Sequence, residues 1–275
     1  MLGVPPVATY AATVLYNFKY KSELRGPEDF EIEFTFTGTE DEKWFYAVSA
    51  AIDTQSEILI KNASKLLDQN GNLDEIGVEI TRSIEEMTRI LNKMYEKCRP
   101  EIFYCQVRRY LAGWLNDPEL PDGLIYDLGN DRSEEQMKLA GGSAAQNPTV
   151  QLLDILLGVK HERDTEDLMI SGYNMSGCPR MNYLGAMRTY MPTEHREYLN
   201  NFERRMCQLE KFKETEGYQS CVKALINFRS EHIKMVTLFI VCQSKKGNPL
   251  GTGGSNPIPF LKKCRNETEK CLNNK

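Results

Sequence analysis

A chain of 275 residues with 41% hydrophobic and 27% charged residues has the make-up of an ordinary globule, long enough for one large core or two small ones. The formal net charge of −5, with both signs interspersed, gives no electrostatic ground for binding nucleic acid or an anionic membrane. No apolar run approaches the ~18 residues of a membrane span, and the N-terminus has neither a basic region nor a signal-like apolar core.

Helical periodicity dominates the chain. Pro6–Lys19 reads as an amphipathic opening helix, and the alternation in Glu31–Phe36 as a short strand. Long helical patterns follow over Lys43–Leu67 and Ile76–Lys97, joined by the acid-rich linker DQNGNLDE. Pro100 opens another helix that runs to about Trp114, and DPELPDG closes it. Leu124–Leu128 reads as extended. A helix is expected over Asn147–Leu157, then a polar, irregular surface insertion over 161–180. Helices over Asn182–Tyr190, Pro192–Cys207 and Cys221–Cys242 come next. The Gly-rich segment GNPLGTGGSNP separates them from a last helix, Pro259–Leu272.

Eight cysteines without a CxxC pair favour reduced thiols over a disulfide framework, and with them a reducing, cytoplasmic setting. Cys105, Cys221 and Cys242 lie in apolar helical stretches and are expected to pack as small hydrophobes.

Within Cys221–Cys242, the residues Cys221, Leu225, Phe228, Met235, Val236 and Phe239 line one helical face, and His232 falls in the middle of it. Burying an imidazole without partners costs about 1–3 kcal/mol, so something should satisfy it. Arg229, three residues earlier on nearly the same side, raises that cost unless an anion is near. A haem meets both needs, through its iron and its propionates. A core histidine bonded to a backbone carbonyl is the plainer alternative.

Other patterns carry less. Asp68–Glu79 imitates a calcium loop but has Leu73 where the turn needs Gly and Glu75 where it needs an apolar residue, so it reads as a helix linker. Gly251–Asn256 lacks the Lys-Ser/Thr ending of a phosphate loop. The sequences after His161 and His195 lack the second histidine of HExxH, and His195 reads as a helix-capping residue. Ser143, in GGSAAQ, is not a hydrolase elbow. The stretch Pro100–Trp114 crowds Phe103, Tyr104, Arg108, Arg109 and Tyr110, a set suited to a planar zwitterion: guanidinium on carboxylate, ring on ring. An amphipathic helix with solvated arginines fits the same letters, because positions 103 and 108 lie roughly 140° apart on an ideal wheel.

Seven segments, in order, resemble the indoleamine 2,3-dioxygenase family: LGVPPVATYA, PEIFYCQVRRYLAGW, LPDGLIYD, GGSAAQNPTVQLLDILLG, MRTYMPTEHREYL, CVKALINFRSEHIKMVTLFIV and GTGGSNPIPFLKKCRNETEK. The resemblance implies an all-α, haem-binding domain over 1–275 with at most a short strand or hairpin. It also implies haem b, with O2 as co-substrate, opening the indole 2,3 bond of tryptophan or a related indoleamine to give N-formylkynurenine. His232 would be the proximal iron ligand, Arg229 and Asp154 would form an ion pair near the propionates, and Ser143 would also contact the haem. Phe103 would pack on the indole and Arg108 hold the carboxylate. Tyr10, Phe45, Ser49, Ser143 and Ala144 would line the distal pocket, and Thr252 would contact the substrate ammonium or a propionate.

No residue serves as general base, and orientation with exclusion of water suffices. The chain starts where the family's large domain starts, so the small N-terminal domain is expected to be missing. Tyr104 and Asn147-Pro148 depart from the family's usual residues. The expected protein is a cytoplasmic monomer acting on a small molecule. Its rivals are a myoglobin-like O2 binder on the same fold and a helical interaction protein without haem.

Overall fold

The computed structural model describes residues 4–68, 71–127, 135–162, 183–206, 210–245 and 249–273. Most of them are helical, as the all-α expectation has it, with two short antiparallel strand pairs where at most one strand or hairpin is expected. The long helices are α1 (Glu40–Asp53), α2 (Ser56–Leu67), α3 (Leu73–Asn92), α4 (Pro148–Leu156), α5 (Thr193–Arg205), α6 (Glu216–Val236) and α7 (Pro257–Asn273). One continuous core joins α1, α2, α3, α4 and α6.

Side-chain caps start three of the helices a few residues ahead of the expected periodic stretches. Thr39 accepts from the Glu42 amide at 3.2 Å, Asn72 from Asp74 at 2.9 Å, and Thr215 from Tyr218 at 3.1 Å. The calcium-like linker therefore ends in a cap. Glu42 is fully buried because its carboxylate accepts from the Phe36 and Thr37 amides, the Thr37 hydroxyl and the Tyr46 hydroxyl.

Several expected elements are divided or shifted. The 43–67 pattern is two helices, because Thr54 turns its hydroxyl back onto the Ala51 carbonyl at 2.7 Å and ends α1. The 76–97 pattern stops at Asn92, with a separate turn at Met94–Lys97. The opening helix is only a π turn, Ala11–Leu15, followed by strand β1 (Phe18–Tyr20). β1 pairs with β2 (Phe30–Ile32), Phe18 opposite Ile32, so the 31–36 strand starts one residue earlier and ends sooner. Phe18 packs edge-on against Phe30 at 4.8 Å, which favours pairing over continued helix. β3 (Leu124–Tyr126) pairs with β4 (Glu135–Met137).

The helix expected over 100–114 is a short turn, a π turn (Phe103–Val107) and a last turn ending at Leu111. The 221–242 pattern becomes α6 and a third π turn, Thr237–Val241. Of the expected core cysteines only Cys221 is buried. Cys105 and Cys242 are exposed, while Cys98, Cys264 and Cys271 are buried, and all six carry free thiols. No helix among the described residues is long and apolar enough to cross a membrane. Most of the expected insertion, residues 163–180, lies outside the described residues.

α3 and α6 form the tightest helix pair. A Cβ on Gly77 would stand 2.5 Å from Gly217 Cα, and the Gly217 amide donates to Asp74 at 3.0 Å. The two glycines let the backbones touch and so fix where α6 carries His232. Gly77→Ala should therefore cost about 3 kcal/mol by overpacking. A denaturant midpoint equal to wild type would show that the helices can part freely.

Candidate active site

Beside α6 lies a cavity of about 250 Å³, partly open to solvent and walled mainly by apolar side chains. α1 contributes Phe45, Ser49 and Ile52, and α6 contributes Phe228, Arg229, His232, Met235 and Val236. The turns at Gly142–Ala145 and Gly251–Gly253 close it from the other side. The three π turns among the described residues all border it, with Thr13 and Val14, Phe103, and Phe239 and Ile240. Such turns insert an extra residue into a helix and are frequent at functional sites.

His232 is half-buried on this wall, among Phe228, Met235 and Phe239. Burial first, and the Arg229 cation second, push its pKa down to about 4. The ring is neutral at pH 7, with one nitrogen lone pair to offer. Among the described residues no hydrogen bond engages it, so the carbonyl-bonded alternative has no partner among them.

Arg229 is only 6% exposed and lines the same wall. Its guanidinium donates to Asp154 and, at 2.6 Å, to the Cys264 carbonyl, while its buried Nε has no partner among the described residues. Burial alone would raise the Asp154 pKa, but Arg229 and His161 outweigh it and hold the carboxyl below its usual range. His161 corrects the surface-insertion reading: it is tucked between Asp154 (3.1 Å) and Glu267 (2.6 Å).

Across the cavity, Phe103 packs on Phe45 at 4.7 Å and on Phe239 at 5.8 Å between ring centres. Ser49 donates to the Phe45 carbonyl at 2.9 Å, which turns its lone pairs outward. Ser143 caps the turn holding Ala144, accepting from the Ala145 amide at 3.3 Å, and both residues line the cavity. Thr252 donates its hydroxyl proton to the Gly142 carbonyl at 2.6 Å, so only its oxygen lone pairs remain for a ligand. The Thr252 carbonyl in turn accepts from the Gly113 and Gly141 amides at 3.3 and 3.1 Å.

Tyr10 lines the cavity, and its hydroxyl donates to Asp53 at 2.6 Å. Thr149 (2.6 Å) also donates to Asp53, and Asn147 donates to the Tyr10 oxygen at 2.9 Å. Burial, only partly offset by these bonds, raises the Asp53 pKa to about 6. Sequence reasoning missed Asp53; the signal was an acid at the end of the apolar run AVSAAI. Asn147 caps α4 and Pro148 takes its first position, which accounts for that departure.

Arg108 does not line the cavity. It donates to the Leu250 carbonyl, beside the Gly251–Gly253 turn, and lies 5.2 Å from the Tyr104 ring; its buried Nε has no partner among the described residues. Because i→i+5 turns take more residues per revolution, the π turn brings Arg108 nearer the Phe103 side than an ideal wheel does. His195 caps nothing: Pro192 holds the cap position of α5, and the His195 ring stacks on Tyr16 at 6.3 Å, on a second cavity behind Asp53.

Ten of the eleven expected site residues thus share one cavity, and the eleventh sits on the loop that covers it. The family model for indoleamine 2,3-dioxygenase matches residues 1–250. Indoleamine 2,3-dioxygenase of Saccharomyces cerevisiae is 33% identical over 98% of this chain and 69% of its own length. Mouse indoleamine 2,3-dioxygenase 1 is 32% identical over 98% and 69%. The 6-hydroxytryptophan 2,3-dioxygenase of Fusarium equiseti is 31% identical over 98% and 71%. With a match over most of the chain and relatives above 30% identity, this chain belongs to the indoleamine 2,3-dioxygenase family.

Proposed function

We propose that the protein is a haem b-dependent dioxygenase that opens the indole 2,3 bond of tryptophan or a related indoleamine with O2, giving N-formylkynurenine. The observation that carries this is His232: a neutral imidazole that lines an apolar cavity without a hydrogen-bond partner among the described residues, beside the buried Arg229 cation. An iron porphyrin asks for a neutral nitrogen donor, an apolar slot and a positive group for its carboxylates, and His232, the Phe103–Phe239 wall and Arg229 meet those demands. When bound, the haem supplies O2 binding and the redox chemistry.

The chain's own residues orient and exclude water. Phe45, Phe103 and Phe239 form an aromatic wall against which an indole ring packs. Tyr10 lines the cavity with its proton committed to Asp53, and this reading assigns no side chain the role of general base. Ser49 and Ser143 supply lone pairs for an indole or ammonium N–H. Arg108, at the covering turn, has a spare buried N–H for the substrate carboxylate. The reading includes a monomer and a cytoplasmic setting, and the six free thiols among the described residues support the reducing setting.

The test is haemin reconstitution, reduction, and assay of N-formylkynurenine from tryptophan. Product with a Soret band is the expected result; a Soret band and reversible O2 binding without product would move the protein to the O2-binder reading. Arg108→Ala should leave the haem spectrum intact while weakening tryptophan use by about 1.5–3 kcal/mol in kcat/KM. Unchanged kinetics would remove Arg108 from the substrate.

A further inference from the structure

Arg229 keeps one orientation only if its guanidinium is held from behind. Asp154 and the Cys264 carbonyl hold it directly, and the support continues further. The second oxygen of Asp154 meets His161 Nε2 at 3.1 Å, and His161 Nδ1 meets Glu267 at 2.6 Å. The other Glu267 oxygen accepts the Glu162 amide at 2.9 Å. The row Arg229, Asp154, His161, Glu267 alternates in sign and sums to zero when His161 is protonated. It ties α6, α4, the segment after α4, and α7. Asp154 and Glu267 are 5% and 4% exposed, so an uncharged ring would leave two buried carboxylates sharing one cation, which is costly.

Burial pushes the His161 pKa down, but the bonds to Asp154 and Cys264 outweigh it and raise the pKa to about 10. His161, Cys264 and Glu267 also place donor atoms within 4.8 Å of one another, a set that a zinc-type ion accepts. Both ring nitrogens already face carboxylates, and the charges close without a metal, so the arrangement favours a proton there.

We propose that His161 is a positioning residue. Through Asp154 it fixes Arg229, so that the guanidinium charge stays beside the cavity for the carboxylates of a bound porphyrin, and Glu267 holds His161 from the far side. The proposal rests on the haem reading above and deepens it.

The test compares dissociation of haemin and of haemin dimethyl ester, whose carboxylates are blocked, by transfer to a scavenging apoglobin. His161→Gln keeps hydrogen-bonding capacity and removes the charge. It should speed haemin loss about tenfold or more, as expected for a weakened charge-assisted bond, and leave the ester's rate within about twofold. It should also add nothing to Arg229→Gln, because both act through one guanidinium. An unchanged haemin rate, equal acceleration of both porphyrins, or additive effects would overturn the proposal. So would zinc that copurifies with wild type and is lost in the variant. If His161→Gln does not fold, Glu267→Gln is judged in the same assay by the same contrast. A wild-type haemin rate indifferent to His232→Ala would sink the haem reading itself, whatever His161 does.

Discussion

Alanine at position 232 should yield a folded protein that has lost haem ligation and dioxygenase activity together. No other histidine can take over, since His161 is clamped behind Arg229 and His195 sits on the second cavity. Among the described residues the ring makes no hydrogen bond, so its removal strands no buried partner there, and the cost to the apoprotein should be small. Haemin affinity should fall by more than about a hundredfold, since even residues that only support a ligand are worth 10–100-fold. Added imidazole should restore part of the spectrum. The check is the ferrous spectrum beside a melt of the apoprotein: a five-coordinate spectrum like wild type's would contradict the assignment, as would product formed at an undiminished rate.

Gly141→Ala should be the most damaging Gly→Ala change among the described glycines. A Cβ there would overlap the Leu111 carbonyl oxygen and the Gly113 amide nitrogen, and would stand 2.7 Å from the Ala112 carbonyl carbon. These contacts are backbone on backbone, so no side chain can rotate away. The Gly113 and Gly141 amides converge on the Thr252 carbonyl, and the Thr252 hydroxyl ties back to Gly142. Forcing the strands apart would break both amide bonds and add overpacking strain, a loss of about 3–5 kcal/mol. Because Thr252, Ser143 and Ala144 belong to the cavity wall, haem occupancy should fall along with stability. Thermal melts of the apo and haem-loaded protein read both effects, and a variant that melts and loads as wild type does would show that the crossing has room the distances deny.

What the sequence revealed and what it hid follow from range and periodicity. The stripe on α6 was legible because five of its six apolar residues are buried at 3.6-residue spacing, and an imidazole in their midst is conspicuous. The caps at Thr39, Asn72 and Thr215 are local chemistry and could be read by eye. The π turns were hidden because an i→i+5 bond leaves no mark on hydropathy, so three stretches read as plain helix. His161 was misjudged because its polar neighbours suggest surface, while its Glu267 partner lies 106 positions away. Asp53 went unnoticed for the same reason: Tyr10 and Thr149, which bury it, come from distant parts of the chain. The family's motifs supplied the candidate residues, but their spacing could not show that Arg108 would rest on the Leu250 carbonyl.

The wide coil at Phe103–Val107 holds one amino acid more than a regular spiral needs. Loss of a single codon there would tighten it into ordinary helix, firmer on its own account, and would swing Arg108 off the cover while Phe103 stayed behind. Local comfort and the shape of the aromatic wall therefore pull against each other at that point, and the chain has settled for the poorer coil.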